Sequence, residues 1–288
     1  MQCRLEPPRV PPPPKRLGER KRMTIGLGIL ASDGVVIAAD TQETAGYFKG
    51  FALKIHSAMT HTNPHSTVQS AVAITGSGPG VYLDAVADEI IRDFDRNQDS
   101  SIVALESHLR ERVEDFWARH VANKPDHLAK AFDLIIGAQI EGQHALWLTE
   151  ASVVKPSMGF ESVGTGSPYA RMAIQYRAIN MDVQSAAILA ILGVAQAKEH
   201  DTDCGKNTTV TFLKNNLAYR MRPHQVVEAE KLFNQYAGIE YSAFVYALGS
   251  ESFDDLDDAE WPGKLTQALR KLRGEFSQLA VQLSKNRV

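Results

Sequence analysis

Thr24-Ile25-Gly26-Leu27-Gly28-Ile29-Leu30-Ala31-Ser32-Asp33-Gly34-Val35-Val36-Ile37-Ala38-Ala39-Asp40 is the stretch on which the fold turns. Small and β-branched residues run to Ala31, Ser32-Asp33-Gly34 supplies turn chemistry, and a second apolar run leads to Asp40. Two such runs about a Gly-containing turn predict an antiparallel hairpin. With a three-residue loop and Gly34 in the left-handed position of a bulged turn, Ala31 pairs with Val35, Gly26 faces Asp40 and Thr24 faces Gln42. Thr24 and Asp40 then share one face as diagonal neighbours, roughly 7–8 Å apart between Cα atoms. A two-residue turn would put them on opposite faces. Gly26 and Gly28, on the threonine's face, leave room for an approaching chain. Taken alone, the hairpin favours the plain reading that Asp40 ends a strand.

Outward from the hairpin, residues 68–74 form a buried strand that runs into the Gly-rich turn Thr75-Gly76-Ser77-Gly78-Pro79-Gly80. Apolar periodicity predicts helices over 81–97 and 101–123, the first with Leu83, Val86, Ile90, Ile91 and Phe94 as its stripe. Residues 132–140 and 145–148 read as strands about the turn Glu141-Gly142-Gln143-His144. A second Gly-rich loop over 162–167 opens a helix over 168–178; another helix covers 181–200, and strands return at 207–213 and 217–221. Strands, two helices, strands, two helices, strands is the order of an α+β layered fold in which helices cover sheets whose inner faces meet. Three segments follow from the same reading: an N-terminal extension over 1–23, a folded domain over 24–221 and a C-terminal helical extension over 222–288. The extension holds a helix near 225–236, an acidic loop over 252–260 and a helix over 263–285. Leu265, Leu269, Leu272, Phe276, Leu279, Val281 and Leu283 give that last helix its apolar stripe, which suits docking on the protein's own surface or a partner. Residues 1–22 are rich in Pro, Lys and Arg and read as disordered or polyproline-like. They are either a propeptide or an over-extended reading frame whose start is Met23.

Composition narrows the function. With 44% hydrophobic and 23% charged residues over 288 positions, the chain is an ordinary globular protein with one substantial core. A net charge of -3 gives no general electrostatic attraction to nucleic acid. Two cysteines, Cys3 and Cys204, make neither a disulfide framework nor a zinc site and suit a reducing, cytoplasmic setting. No apolar run approaches the ~20 residues that span a bilayer, so no membrane is expected. His56, His61 and His65 are irregularly spaced and read as surface histidines, not a metal site.

The wider pattern carries the chemistry. Thr-Ile-Gly-Leu-Gly-Ile from Thr24, Asp-Gly-Val-Val-Ile-Ala-Ala-Asp-Thr-Gln-Glu-Thr from Asp33, Lys54-Ile55, Gly76, Gly164-Thr165-Gly166-Ser167-Pro168 and Asp201-Thr202-Asp203-Cys204-Gly205 occur in order. Together they resemble proteasome β subunits and their bacterial proteasome-like relatives of the HslV or Anbu kind, over about residues 24–221. The resemblance implies a four-layer αββα sandwich, two antiparallel sheets between helical layers, and an N-terminal-nucleophile hydrolase. Carried over by position, Thr24 is the nucleophile, Asp40 and Lys54 its carboxylate and lysine, and Gly76 the oxyanion-hole segment. Thr165, Asp201 and Cys204 match an Asp and two hydroxyl residues that orient the N-terminus, and Thr44 matches the position whose backbone holds substrate as an added strand. A neutral hydroxyl is a poor nucleophile, and a free α-amine on the same residue, with an ordinary pKa of about 7.7–8.0, can serve as its base.

Cys204 where the family has serine is a departure, since a thiol is larger and bonds hydrogen more weakly. It raises the rival of Cys204 as nucleophile, which no His/Asn arrangement supports. Gln42 replaces a common arginine, and Lys206 a small residue. The expected activity is peptide-bond hydrolysis by a threonine-type peptidase in a homo-oligomer, acting on peptide or unfolded protein without a cofactor. An ATPase partner is left unspecified. Two other readings are a catalytically silent proteasome-like scaffold and a small-molecule amidase of the wider class.

Overall fold

The computed structural model describes residues 24–45, 48–60, 69–97, 99, 101–122, 124, 131–175, 180–247 and 260–285. The N-terminal extension, His61, His65, the acidic loop up to residue 259 and the end of the helix expected to reach 178 lie outside the described residues.

The elements are β1 (Gly26–Ala31), β2 (Gly34–Asp40), β3 (Gln42–Ala45), β4 (Phe48–Phe51), β5 (His56–Met59), β6 (Ser70–Ser77), α1 (Gly80–Asn97), α2 (Ile102–His120), β7 (Asp133–Ile140), β8 (Gln143–Glu150), β9 (Val153–Ser157), β10 (Phe160–Val163), α3 (Ser167–Ile174), α4 (Val183–His200), β11 (Thr208–Lys214), β12 (Leu217–Arg220), α5 (Pro223–Ala247) and α6 (Trp261–Ser284). Two five-stranded antiparallel sheets, ordered β10-β1-β2-β11-β12 and β5-β6-β7-β8-β9, accompany a two-stranded β3-β4 hairpin. The fold is thus α+β, with mixed helices and antiparallel sheets. Val35, Ile37, Val163 and Leu213 of the first sheet meet Ala71, Ala73, Ile135 and Leu146 of the second in one apolar cluster. On the first sheet's other face Leu27, Ile29, Val36 and Phe212 pack with α4, whose body is almost wholly apolar and buried. Val72, Ile74, Leu134 and Trp147 of the second sheet pack with Val86, Ile90, Phe94, Leu105 and Phe116 of α1 and α2.

The first hairpin departs from its expected register. Ala31 pairs with Gly34 and Gly26 with Ala39, so Ser32-Asp33 is a two-residue turn and every pairing shifts by one. Asp33 accounts for it: its carboxylate takes the Val183 amide at 2.8 Å, at the start of α4, and the Lys214 ammonium at 2.7 Å. Gly34 serves close packing rather than a left-handed bulge, because a Cβ there would lie 2.1 Å from the Leu213 carbonyl oxygen. Gly28 likewise opens no space for substrate, since its missing Cβ is replaced by Ile135 at 2.5 Å and Leu146 at 2.8 Å from the facing sheet. Gly76 lies inside β6 opposite Leu134, not in a turn; the chain leaves the strand only at Gly78, with φ +138°.

α5 and α6 form a helical hairpin whose near half shares the core. Val226, Ala229, Leu232, Leu272, Leu279 and Leu283 all belong to the α4 cluster. α5 runs on well past residue 236, and two positions of the expected α6 stripe, Leu269 and Val281, are exposed. Among the described residues no helix is long and apolar enough to cross a membrane.

Candidate active site

Asp40 closes β2, a strand flanked on both sides by β1 and β11, and its side chain is fully buried. A buried carboxylate is tolerable only if its oxygens are matched by donors. Oδ1 accepts the Thr24 hydroxyl at 2.8 Å, the Lys54 ammonium at 2.7 Å and the Ile25 amide at 3.3 Å. Oδ2 accepts the backbone amides of Gly205 at 3.0 Å and Gln42 at 3.2 Å. Lys54 also donates to the Thr24 hydroxyl oxygen at 2.5 Å, closing a three-residue ring of contacts. An ammonium can only donate, so the hydroxyl proton points to Asp40 while its oxygen faces positive charge. Proximity of that charge favours loss of a proton from the hydroxyl.

The pleat does not bring these groups together. In the observed register Ile25, whose carbonyl accepts the Asp40 amide at 3.3 Å, stands across from Asp40. Thr24 precedes β1 and is free of strand alternation, which lets its hydroxyl reach Asp40. The loop after β10 fixes it there. Gly166 donates its amide to the Thr24 carbonyl at 3.3 Å, and Gly164 takes φ +97° with its Cβ position 2.0 Å from that same oxygen, so no other residue fits. Lys54 lies between β4 and β5, on a segment anchored by the Ala52 amide to the Thr41 carbonyl at 3.0 Å.

The remaining sequence-predicted residues form an outer ring. Thr165 lies between the two glycines that grip Thr24, and its buried hydroxyl has no hydrogen-bond partner among the described residues. Asp201 ends α4, takes the Asp203 amide at 2.9 Å and lies 3.6 Å from the Cys204 sulfur. Cys204 is buried against the would-be Cβ of Gly166. Burial first, then the charges of Asp40 and Asp201, push its thiol well above the ordinary range, with Lys54 opposing only in part. A thiol held protonated is a poor nucleophile, which argues against the cysteine rival. Thr44 lies in β3 opposite Lys49, and Gly76 next to Thr75, whose side chain packs against Gly26. Gly76 is not among the residues in the Thr24–Asp40–Lys54 contacts.

Sequence reasoning missed the backbone donors of Gly205 and Gln42 and the grip of Gly164 and Gly166. The glycines flanking Thr165 were the available signal. Lys49 and the Gln42 side chain were also missed; both donate to the Thr202 carbonyl, at 2.5 and 3.2 Å, tying the β3-β4 hairpin to the loop beneath Asp40. Beyond the Gly164-Thr165 turn opens a cleft of about 500 Å³ lined by Asp133, Glu150, Ser162, Thr165, Ser167 and Arg171.

No family model matches the chain. A proteasome subunit beta from Methanopyrus kandleri is 25% identical over 227 residues, covering 74% of this chain and 98% of that relative. A proteasome subunit beta 1 from Pyrobaculum calidifontis is 26% identical over 205 residues, 69% of this chain and 94% of its own length. The chain is proteasome-like. Two solved structures agree in fold at 14% identity each. Anbu (ancestral beta-subunit) from Yersinia bercovieri has a TM-score of 0.62 over 76% of the proteasome-like chain and 97% of its own. The helical assembly of the Anbu complex from Pseudomonas aeruginosa has a TM-score of 0.60 over 77% and 95%.

Proposed function

We propose that the chain is a threonine-type peptidase that hydrolyses peptide bonds with Thr24 as N-terminal nucleophile, within a homo-oligomeric assembly. The observation that carries this is the mutual contact of Thr24, Asp40 and Lys54 inside a buried, fully donated carboxylate site. Once no residue precedes Thr24, its α-amine takes the hydroxyl proton as the oxygen attacks the carbonyl carbon, and Lys54 favours the charge left on oxygen. The amine returns the proton to the leaving nitrogen, an ester to Thr24 remains, and water activated by the same amine releases the product. Asp40 balances Lys54 and the ammonium. The Gly76 segment is assigned to the developing oxyanion, a role worth about 3–4 kcal/mol where it is filled by one good donor. Asp201, Thr165 and Cys204 orient the amine, and the Thr165 hydroxyl, without a hydrogen-bond partner among the described residues, is free to do so. The substrate backbone pairs with the β3 edge at Thr44, and the cleft by Arg171 receives the chain on the other side.

In this reading residues 24–221 are the catalytic domain, a four-layer sandwich in the cytoplasm, and 222–288 are its helical extension. The test is intact-mass analysis of purified active protein together with an electrophile that bridges a hydroxyl and its neighbouring amine. The mature chain is expected to begin at Thr24 and to carry one label, which Thr24→Ala removes along with turnover. Full activity in a chain that still carries Met23 would overturn the mechanism. A mature, folded chain that begins at Thr24 yet neither labels nor cleaves would be a silent scaffold. Cleavage of small amides but not of extended peptides would make it an amidase.

A further inference from the structure

We infer that Glu230, in the C-terminal helix α5, is a positioning residue for the Asp40 carboxylate. The inference rests on the peptidase reading of Thr24 and extends it to a residue beyond the sequence motifs of residues 24–221.

The connection runs through residues 201–208, the segment that carries the Gly205 amide to Asp40 Oδ2. Part of that segment is conformationally awkward. Lys206 has φ 58°, in the left-handed region where a long side chain is disfavoured, and such backbones persist only where the surroundings hold them. The holding group is Lys198, near the end of α4. Its ammonium donates to the Lys206 carbonyl at 3.3 Å and to the Thr208 hydroxyl at 2.9 Å. Thr208 is the β11 residue paired with Asp40. Between the two clamped residues, Asn207 exchanges bonds with Thr41: its amide donates to the Thr41 hydroxyl at 3.0 Å, and its carbonyl accepts the Thr41 amide at 2.9 Å.

Lys198 is set in turn by Glu230. The Glu230 carboxylate accepts Lys198 Nζ at 2.6 Å and the Thr208 hydroxyl at 2.9 Å through the same oxygen, Oε1. The Lys198 and Glu230 side chains are only 17% and 28% exposed, so water competes weakly for either. Without Glu230 the long Lys198 side chain loses its counter-charge, and the Thr208 hydroxyl, itself released from Glu230, is a weaker, neutral anchor for its head beside the Lys206 carbonyl. The strained turn then has a route to relax, and the Gly205 amide moves off Asp40. Lys54 and Thr24 share the other oxygen of that carboxylate, so their geometry follows.

The experiment compares wild type with Glu230→Ala and Glu230→Gln, the latter keeping an acceptor for Thr208 but losing the charge. Competent sites are counted by labelling Thr24, and kcat and KM for an extended peptide are taken per labelled site. Hydrogen exchange of the 201–208 segment is followed in parallel. We expect Glu230→Ala to lower kcat per labelled site about tenfold with KM little changed, as for a contact made through the transition state, and to lose protection over 201–208. Glu230→Gln is expected to fall between. A merely structural role would lower the melting temperature and the number of labelled sites but leave kcat per site alone. Wild-type kcat per site with unaltered exchange in folded Glu230→Ala overturns the inference. If wild type neither labels nor turns over, the peptidase reading fails, and unchanged exchange over 201–208 still overturns the coupling independently.

Discussion

Two buried carboxylates invite comparison. Asp40, at the end of β2, is fully enclosed and matched by two side chains and three backbone amides. Asp99, between α1 and α2, has a side chain only 3% exposed, is paired with His108 at 2.7 Å, and has a second oxygen with no hydrogen-bond partner among the described residues. Burial is common to both; convergence is not. A carboxylate gathered by donors from the residues before β1, the start of β3, the Lys54 loop and the 201–208 segment is held by widely separated parts of the chain, whereas Asp99 pairs with His108 of the neighbouring helix. Burial of an ionisable group therefore marks a site here only when distant segments spend their donors on it.

The sharpest way to break this comparison is Lys54→Ala against Asp99→Asn. If convergence marks function, the first lowers peptide turnover per folded site by roughly 10²–10⁴-fold, and the second leaves it at the wild-type value. Equal effects would dissolve the distinction. Asp40→Asn should cost about 3–5 kcal/mol in urea unfolding, because it strips the counter-charge from a largely buried Lys54. Asp99→Asn should change stability by about 1 kcal/mol or less, since it removes a charge that is only half matched. A third comparison uses Cys204, beside Asp40 yet with its thiol pushed up. Cys204→Ser is expected to retain Thr24 labelling and turnover within about threefold, a difference under 1 kcal/mol. Loss of both would mean that the sulfur does more than help to orient the Thr24 amine. The smallest effect belongs to Asp33, whose carboxyl is held below its ordinary 3.8: burial acts against this, but Lys214 and the Val183 amide outweigh it. A depressed folded-state pKa contributes stability above the ordinary value that is lost as pH falls through the folded one. Asp33→Asn should therefore lower stability modestly at neutral pH, by the amount wild type loses on acidification, and flatten the acid limb of stability against pH below about 4.

Much of the frame was legible because buried strands and amphipathic helices announce themselves. β2, β6, β7 and α1 fall within a few residues of where apolar patterning put them. The short strands did not. In β3 and β4, Gln42, Glu43, Lys49 and Gly50 dilute any alternation, and their pairing is decided by docking on the Thr202 carbonyl. β9 carries Pro156, which weakens a strand reading yet is tolerated on the edge of a sheet. The register error is the most instructive. Gly34 resembles a turn glycine, and only the β11 backbone pressed against it, a contact made 179 residues later in the chain by Leu213, reveals why it is glycine. The positions of Thr24, Asp40 and Lys54 were readable through resemblance, and the amides that hold Asp40 were not, because a backbone donor has no letter in a sequence.

The grip of Gly164 and Gly166 on the Thr24 carbonyl has a consequence for biosynthesis. Thr24 is seated by a loop made much later, and Asp40 waits later still for Gly205. At a synthesis rate of about 5–20 residues per second, the gap between Thr24 and Gly205 leaving the ribosome is on the order of ten seconds or more. During that interval the hairpin exists without its seat. If Thr24 is the nucleophile proposed above, a ribosome-bound chain stalled before residue 164 should fail to react with the Thr24-directed electrophile even with its amino terminus exposed, its reactivity waiting on the arrival of its own second half.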